Sequence, residues 1–174
     1  MTAMLKGFED AGLDQATLRD WRLAIEEFNT EYAAVLDAGR VEDWPRFFAE
    51  DAIYRVTGRE NAEADLPVGL VYCEGIGMLK DRALAIAHSM TFAPRYLQHH
   101  VNNVRVLQRS ADGNSVAAQA NYALFQTLVE ERTTIQQVGR YYDRFVRQDG
   151  RLLLKERHCV YDSLIIDTAL IYPV

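Results

Sequence analysis

Long apolar runs and clusters of positive charge are both missing from this 174-residue sequence. No stretch approaches the roughly 20 consecutive apolar residues that a transmembrane helix requires. Acidic and basic residues are interspersed, the net charge is −6, and no basic run could neutralise a phosphate backbone. The sequence therefore predicts no membrane span, and it argues against nucleic acid and anionic membranes as partners.

Cysteine is scarce, with only Cys73 and Cys159 in the whole chain. Two cysteines cannot build a multi-bridge disulfide framework. A Rieske cluster needs two Cys and two His in paired motifs, whereas Cys73 and Cys159 stand alone, with only His158 beside one of them. The N-terminus lacks the basic segment and apolar core of a secretory signal, so we expect a cytoplasmic protein.

The first part of the chain has the periodicity of helices. Apolar residues recur every three or four positions over residues 15–38, which predicts an amphipathic helix. Asp14 or Thr17 suits its start and Gly39 its end. A shorter helix is predicted over residues 41–49.

A strand is predicted to start at Asp51, and residues 57–74 then read as a loop with a short strand at 68–73. Another helix is predicted over residues 75–90, before Pro94. The candidates for its buried face are Met78, Leu79, Leu84, Ile86 and Ala87.

Strands dominate from residue 97 onward. Two turn sequences, Asp112-Gly113-Asn114 and Gln148-Asp149-Gly150, are typical of antiparallel hairpins. Helices followed by a long meander indicate an α+β fold, with helices packed on a strongly curved antiparallel sheet. We expect a single domain over residues 1–174, with residues 1–14 an N-terminal extension free to move. The predicted strands are 97–109, 115–130, 133–148 and 151–166.

Two of the four histidines, His99 and His100, are adjacent in a predicted strand. Successive strand side chains point to opposite faces, so the two rings diverge and cannot chelate one ion. An iron site with two histidines and a carboxylate would need His88 or His158 from distant segments. We therefore predict no metal and no cofactor in this chain.

Proton transfer needs only one histidine in a cavity and a carboxylate that orients it. His99 could fill that role, with Asp51 as its orienting partner and Tyr54 as a substrate hydrogen-bond donor. The competing interpretation is a strand histidine that bonds to backbone or to a neighbouring subunit. No complete catalytic set is evident from the residues alone.

Several motifs in sequence order resemble the small (β) subunit of aromatic-ring-hydroxylating dioxygenases. His99-x-Val101-Asn102-Asn103-Val104-Arg105-Val106 is similar to a strand of that family, with Asn102 in place of a serine. The ending Leu170-Ile-Tyr-Pro-Val resembles the branch that acts on benzoate-, anthranilate- or salicylate-like acids. The remaining matches are Phe28-x-x-Glu31-Tyr32, Leu36-Asp37, Trp44-x-x-x-Phe48-x-x-Asp51-x-x-Tyr54, Arg59-Glu60-Asn61, Asp81-Arg82, Gly139-Arg140, Asp143, Asp149-Gly150, Arg157 to Asp162 and Cys159-Val-Tyr-Asp162.

The resemblance implies a cone-shaped NTF2-like (cystatin-like) fold and a structural role. It implies that an α subunit carries the Rieske [2Fe–2S] cluster and the mononuclear Fe(II). This chain would form a homotrimer within an α₃β₃ hetero-hexamer and brace the α subunits, which add dioxygen to an aromatic ring in aromatic hydrocarbon catabolism. As a subunit of this oxidoreductase, the chain alone is expected to be inactive.

Two other functions stay open at this stage, because the same cone also occurs in cofactor-free dehydratases and isomerases. One alternative is a stand-alone enzyme that uses His99 and Asp51, and the other is a small-ligand binding module. An open pocket lined by Asp51, Tyr54 and His99 would favour the enzyme. A cone filled by Trp21, Phe28, Phe47 and Phe48 would favour the structural subunit.

Overall fold

The first helix, α1 (Gln15–Asp37), is the longest helix in a computed structural model that describes residues 5–166 and 169–174. Asp14 caps its start, since a carboxylate oxygen accepts from the backbone N–H of Ala16 at 3.0 Å and of Thr17 at 2.9 Å. Gly39 has a φ of +70°, a left-handed conformation that suits glycine after a helix. The buried stripe of α1 is Trp21, Ile25, Phe28, Asn29, Tyr32, Val35 and Leu36.

The second predicted helix is a 3₁₀-helix (Val41–Phe47), and strand β1 (Phe48–Gly58) starts three residues earlier than predicted. Pro45 lies inside this helix, where it has no N–H to donate, so a regular α-helical ladder is not favoured. The predicted apolar residues Val41, Trp44 and Phe47 are buried all the same.

The region predicted as a loop contains a short helix, α2 (Arg59–Glu63), and strand β2 (Val71–Glu74). Helix α3 (Gly75–His88) buries Leu79, Ala83 and Ile86, at spacings of four and three. Met78, Leu84 and Ala87 were predicted in this stripe but are exposed, because they project from the other side of the helix.

The other four strands are β3 (Arg95–Arg109), β4 (Ser115–Leu128), β5 (Thr134–Gln148) and β6 (Arg151–Tyr161). They form a meander as the turn sequences predict, although β6 ends five residues early. The order of the sheet is β2-β1-β6-β5-β4-β3. Four of the five strand pairings contain a register shift, and such bulges bend a sheet.

The sheet is not wholly antiparallel, because β1 pairs with β6 in parallel, from Phe48↔Leu154 to Gly58↔Tyr161. This parallel pairing corrects the prediction of a wholly antiparallel sheet. Turn sequences specify only neighbouring strands, whereas the β1–β6 pairing joins residues about a hundred positions apart. No local signal in the sequence indicates it.

Residues 5–11 cross the face of the sheet opposite α1, and we call them the strap. Phe8 is buried against Leu107 and Ala117, with its ring centroid 5.4 Å from that of Tyr142. The backbone N–H of Ala11 donates to the carbonyl of Leu107 at 2.9 Å. This part of the predicted extension is therefore in contact with the sheet, while residues 1–4 lie outside the described range. None of the described helices has the length and apolarity needed to span a bilayer.

Candidate functional site in the cone interior

The adjacent histidines occupy opposite faces of β3, as strand alternation predicts. His99 is buried under α1, whereas His100 is exposed and its ring centroid lies 5.0 Å from that of Phe125. The two rings therefore cannot share an ion. Within residues 5–166 and 169–174, no group of three or more His, Cys, Asp or Glu side chains is placed to hold a metal.

The carboxylate partner of His99 is Asp37, at the end of α1. The Nδ1 atom of His99 lies 2.6 Å from Oδ1 of Asp37, and the backbone N–H of His99 donates to both carboxylate oxygens at 3.1 Å. The other ring nitrogen, Nε2, is 3.3 Å from the carbonyl oxygen of Pro173. Both ring nitrogens are therefore used to join α1, β3 and the segment around Pro173.

Asp51, the predicted orienting residue, lies elsewhere. Its side chain is 72% exposed and pairs with Lys155, which holds the pKa of Asp51 below its ordinary value. It borders a surface cleft of about 380 Å³ that is not lined by His99 or Tyr54. The proposed His99–Asp51 pair is therefore not formed, because β1 is irregular between Phe48 and Ile53 and carries Asp51 to the surface.

Tyr54 does point into the cone, where it is fully buried. Its hydroxyl oxygen accepts from the backbone N–H of Val174 at 2.8 Å. Burial raises the pKa of Tyr54 well above its ordinary value, so the phenol stays neutral. Tyr54 and His99 thus converge on the same chain segment rather than on open space.

We call that segment, residues 171–174, the plug. The hydroxyl of Tyr32 donates to the carbonyl of Val174 at 2.9 Å, and Arg82 donates to the carbonyl of Ile171 at 3.0 Å. The side chains of Ile171 and Val174 are themselves buried. The plug therefore occupies the space between α1, β1 and α3 that a ligand would need.

Aromatic side chains fill the remainder of the interior. The ring of Phe28 packs edge-on against Phe47 with centroids 5.3 Å apart, and Trp44 packs against Phe48 at 5.2 Å and Tyr54 at 5.0 Å. All four of the aromatic residues proposed to fill the cone are less than 9% exposed. They are Trp21, Phe28, Phe47 and Phe48.

A buried ion pair lies beside this aromatic cluster, and reasoning from individual residues missed it. Arg157 donates from Nε and Nη2 to the two oxygens of Asp143, at 3.0 and 2.8 Å, and from Nη2 to the side-chain oxygen of Asn29 at 2.7 Å. The rings of Tyr32 and Tyr141 lie on the guanidinium at 4.3 and 4.1 Å. The sequence does indicate that Asp143 is buried, because it alternates with Tyr141 and Phe145 on the buried side of β5.

The carboxylate of Asp143 and the guanidinium of Arg157 are opposite charges held together in an apolar interior. Burial raises the pKa of Asp143, while Arg157 opposes that effect. Asp143 in turn raises the pKa of Arg157, against the effect of burial. No surface cleft reaches the pair, since Arg157 is 0% and Asp143 1% exposed. The pair therefore ties β5, β6 and α1 together and offers no group to a substrate.

A family model described as ring hydroxylating beta subunit matches residues 31–168. The small subunit of anthranilate 1,2-dioxygenase from Burkholderia cepacia is 31% identical over 157 residues, covering 90% of this chain and 96% of the relative. The beta 1 subunit of the terminal oxygenase component of terephthalate 1,2-dioxygenase from a Comamonas species is 32% identical over 152 residues, covering 87% and 97%.

Solved structures agree with the architecture. The beta subunit of a protein assigned as an aromatic-ring-hydroxylating dioxygenase, from Novosphingobium aromaticivorans, superposes with a TM-score of 0.81 at 36% identity, covering 90% of this chain and 98% of that one. A protein from the same organism assigned as a scytalone dehydratase has a TM-score of 0.69 at 19% identity, covering 91% and 95%. The latter likeness shows the NTF2-like fold alone.

Proposed function

Since the chain belongs to the ring-hydroxylating dioxygenase β-subunit family, we propose that its task is to brace the catalytic α subunit of such an enzyme. Membership makes it the non-catalytic part of an oxidoreductase whose partner is an α subunit.

The filled cone is the observation that carries this proposal. A substrate pocket would need open volume next to Tyr54 and His99, yet both groups are buried and satisfied by the backbone of the plug. The orienting Asp51 of the dehydratase hypothesis is at the surface. The geometry thus supports a scaffold and gives no support to a stand-alone dehydratase, isomerase or ligand-binding module.

The iron centres belong, on this proposal, to the α subunit. The described residues of this chain do not fit a Rieske [2Fe–2S] cluster or a mononuclear Fe(II), because Cys73 and Cys159 are both buried and no set of ligands converges. The metals would activate dioxygen for addition to the ring within α. The contribution of this chain is to hold the spacing of those α subunits.

An aromatic acid is the substrate class that we propose for the complex. The two relatives named above carry the names of anthranilate and terephthalate dioxygenases, and both compounds are aromatic acids. The ring itself would bind in α.

The assembly that we propose is an α₃β₃ hexamer in the cytoplasm, with three copies of this chain at its base. Leu164, at 89% exposed, and its chain neighbour Ile165, at 79%, support an assembled state, because adjacent exposed apolar side chains can form the contiguous patch that marks an interaction surface.

Co-expression with the α subunit tests the proposal. The α gene is recognised by its Cys-x-His…Cys-x-x-His motif. We expect the two chains to co-purify as a hexamer, all iron to be bound by α, and this chain alone to form trimers without iron. Stoichiometric iron in the isolated chain would contradict the proposal.

Asp51→Asn provides the control for the dehydratase alternative. Because Asp51 is exposed and remote from the cone, we expect the ring-hydroxylating activity of the variant complex to equal that of the parent. A large loss of activity in a complex that still assembles would show that Asp51 has a chemical role.

A further inference from the structure

One end of the sheet gathers large apolar side chains that are exposed to solvent. Strands β1 and β6 end there, β3 and β5 begin there, and the turn between β4 and β5 lies beside them. The turns at the opposite end are polar, with Asp112 and Asp149 among their residues. We call the first of these surfaces the apolar end, and its members are Leu66, Val68, Leu70, Ile135, Leu164 and Ile165.

The first part of the apolar end, just after α2, is held in place by its backbone. The N–H of Leu70 donates to the carbonyl of Val56 at 2.8 Å, and the carbonyl of Val68 accepts from the hydroxyl of Thr57 at 2.7 Å. The side chain of Val68 is nevertheless 62% exposed. Because the backbone is already fixed, a partner that covers these side chains does not have to order it.

The second part of the apolar end follows β6 and is anchored in the same way. The N–H of Asp162 donates to the carbonyl of Val138 at 2.8 Å, and its carboxylate pairs with Arg59 of α2 at 2.7 Å. The hydroxyl oxygen of Ser163 accepts from the N–H of Val138 at 3.2 Å. A cleft of about 170 Å³ lies between Leu164 and α2, so both parts of the apolar end flank this short helix.

Exposed carboxylates border the apolar end. They are Glu60 and Glu63 of α2 and Glu130 and Glu131 of the turn between β4 and β5. They outnumber the exposed arginines beside them, Arg132 and Arg140, and the whole chain has a net charge of −6. Like charges that meet across an interface are unfavourable. This surface therefore fits an apolar partner with basic side chains around it better than it fits the same end of a second copy.

We propose that the apolar end is the surface that docks on the α subunit, whose matching face is apolar and bordered by basic side chains. The inference rests on the proposed scaffold function and names the part of the chain that performs it. Contacts between copies of this chain then use other surfaces.

Co-expression of an affinity-tagged chain with the α subunit tests the inference, with the amount of α recovered per tagged chain as the measurement. We expect Val68→Asp and Leu164→Asp each to lower this recovery at least about tenfold, because a carboxylate would have to be buried against an apolar surface. Leu84→Asp is the matched control, since Leu84 is also exposed but lies on α3, outside the apolar end. The control should recover as much α as the parent.

The same variants without α separate a lost surface from a lost fold. Circular dichroism and size-exclusion chromatography should give the parent result, because Val68, Leu84 and Leu164 are all exposed in the folded chain. Parent-level recovery of α by Val68→Asp and Leu164→Asp would overturn the inference and leave the scaffold function intact. Variants that no longer self-assemble but still retain α would overturn it too. A parent chain that recovers no α would refute the scaffold function and this inference with it.

Glu130→Gln combined with Glu131→Gln tests the charge of the partner without touching an apolar side chain. Association of the separately purified chains, followed by surface plasmon resonance, should slow several-fold at low salt and be unchanged at high salt, because salt screens these carboxylates. Glu27→Gln combined with Glu31→Gln removes the same charge from the exposed face of α1 and is the control. Faster association of the Glu130 and Glu131 variant, or an equal effect of both pairs, would overturn the assignment of a basic α surface to this end.

Discussion

At the scale of single residues, Asp143 and Arg157 are the most consequential pair in the molecule. Both side chains are almost completely buried, and each depends on the other for its charge compensation. Removal of one partner from a buried pair leaves an uncompensated charge, which costs about 3–5 kcal/mol.

We therefore expect Asp143→Ala to lower the free energy of unfolding by about 3–5 kcal/mol, measured by urea denaturation. The exposed carboxylate of Asp51, which pairs with Lys155 at the surface, provides the control, and Asp51→Ala should change stability far less. The double variant Asp143→Leu with Arg157→Met should recover much of the loss, because it removes both charges. A single variant as stable as the parent would rule out this account.

Glu156 gives the fold a dependence on pH. His158 and Arg144 lie 3.4 and 3.2 Å from its carboxylate, and these contacts lower its pKa below the ordinary value of 4.5. A depressed folded-state pKa means that the ionised carboxylate stabilises the folded protein. That stabilisation is complete above pH 4.5 and is lost as the pH falls through the folded-state pKa.

Glu156→Gln should therefore be less stable than the parent at neutral pH, with the difference shrinking as the pH falls below 4.5. Urea denaturation midpoints at several pH values between 7 and 3.5 provide the measurement. Glu27→Gln, on the exposed face of α1, serves as the control and should show little difference at any of these pH values. A Glu156→Gln difference that grows toward acid would contradict the assigned sign.

At the scale of secondary-structure elements, the β5–β6 pairing depends on a glycine. A Cβ atom on Gly139 would lie 2.3 Å from the carbonyl oxygen of Val160 and 2.7 Å from the Cα atom of Tyr161. Both neighbours are backbone atoms of the adjacent strand, so they cannot move aside without disturbing the sheet.

Gly139→Ala should accordingly lower the free energy of unfolding by at least about 1–3 kcal/mol, the usual cost of overpacking. Gly77 in α3 is a matched control, because a Cβ atom there would meet nothing within 4 Å. Gly77→Ala should be neutral or stabilising by roughly 0.5–1 kcal/mol, since alanine favours helix. Denaturant unfolding of both variants checks the contrast, and equal effects would show that the close approach is unimportant.

At the scale of the whole molecule, local patterns predicted most of the architecture. Apolar spacing identified α1, and the two Asp-Gly turn sequences identified the β3–β4 and β5–β6 hairpins, because these signals depend only on neighbouring residues. Membership of the β-subunit family was predicted from short motifs that occur in the same order along the chain as in that family. The start of β1 was predicted three residues late, and α2 was not predicted at all, because a helix of five residues is too short to show a period.

The partner of His99 could not be predicted for a different reason. Asp37 lies 62 positions from His99, at the end of a helix whose docking angle is decided by packing across the whole core. The plug was equally hidden, because its contacts use backbone groups that every sequence possesses. Nothing in the letters Ile-Tyr-Pro-Val indicates that Tyr32, Tyr54 and His99 would bind them.

The position of β6 has a consequence for the order of events during synthesis. This strand is the last to leave the ribosome, yet it lies in the interior of the sheet, between β1 and β5. Until it emerges, β1 and β5 both present unpaired edges, and the β1–β2 pair cannot join the β3–β5 meander. Pairing of segments so distant in sequence slows folding and prolongs the exposure of unpaired strand edges. The nascent chain therefore reaches its folded form only after β6 and the plug have both left the ribosome, and until then the unpaired edges of β1 and β5 are exposed to association with other chains.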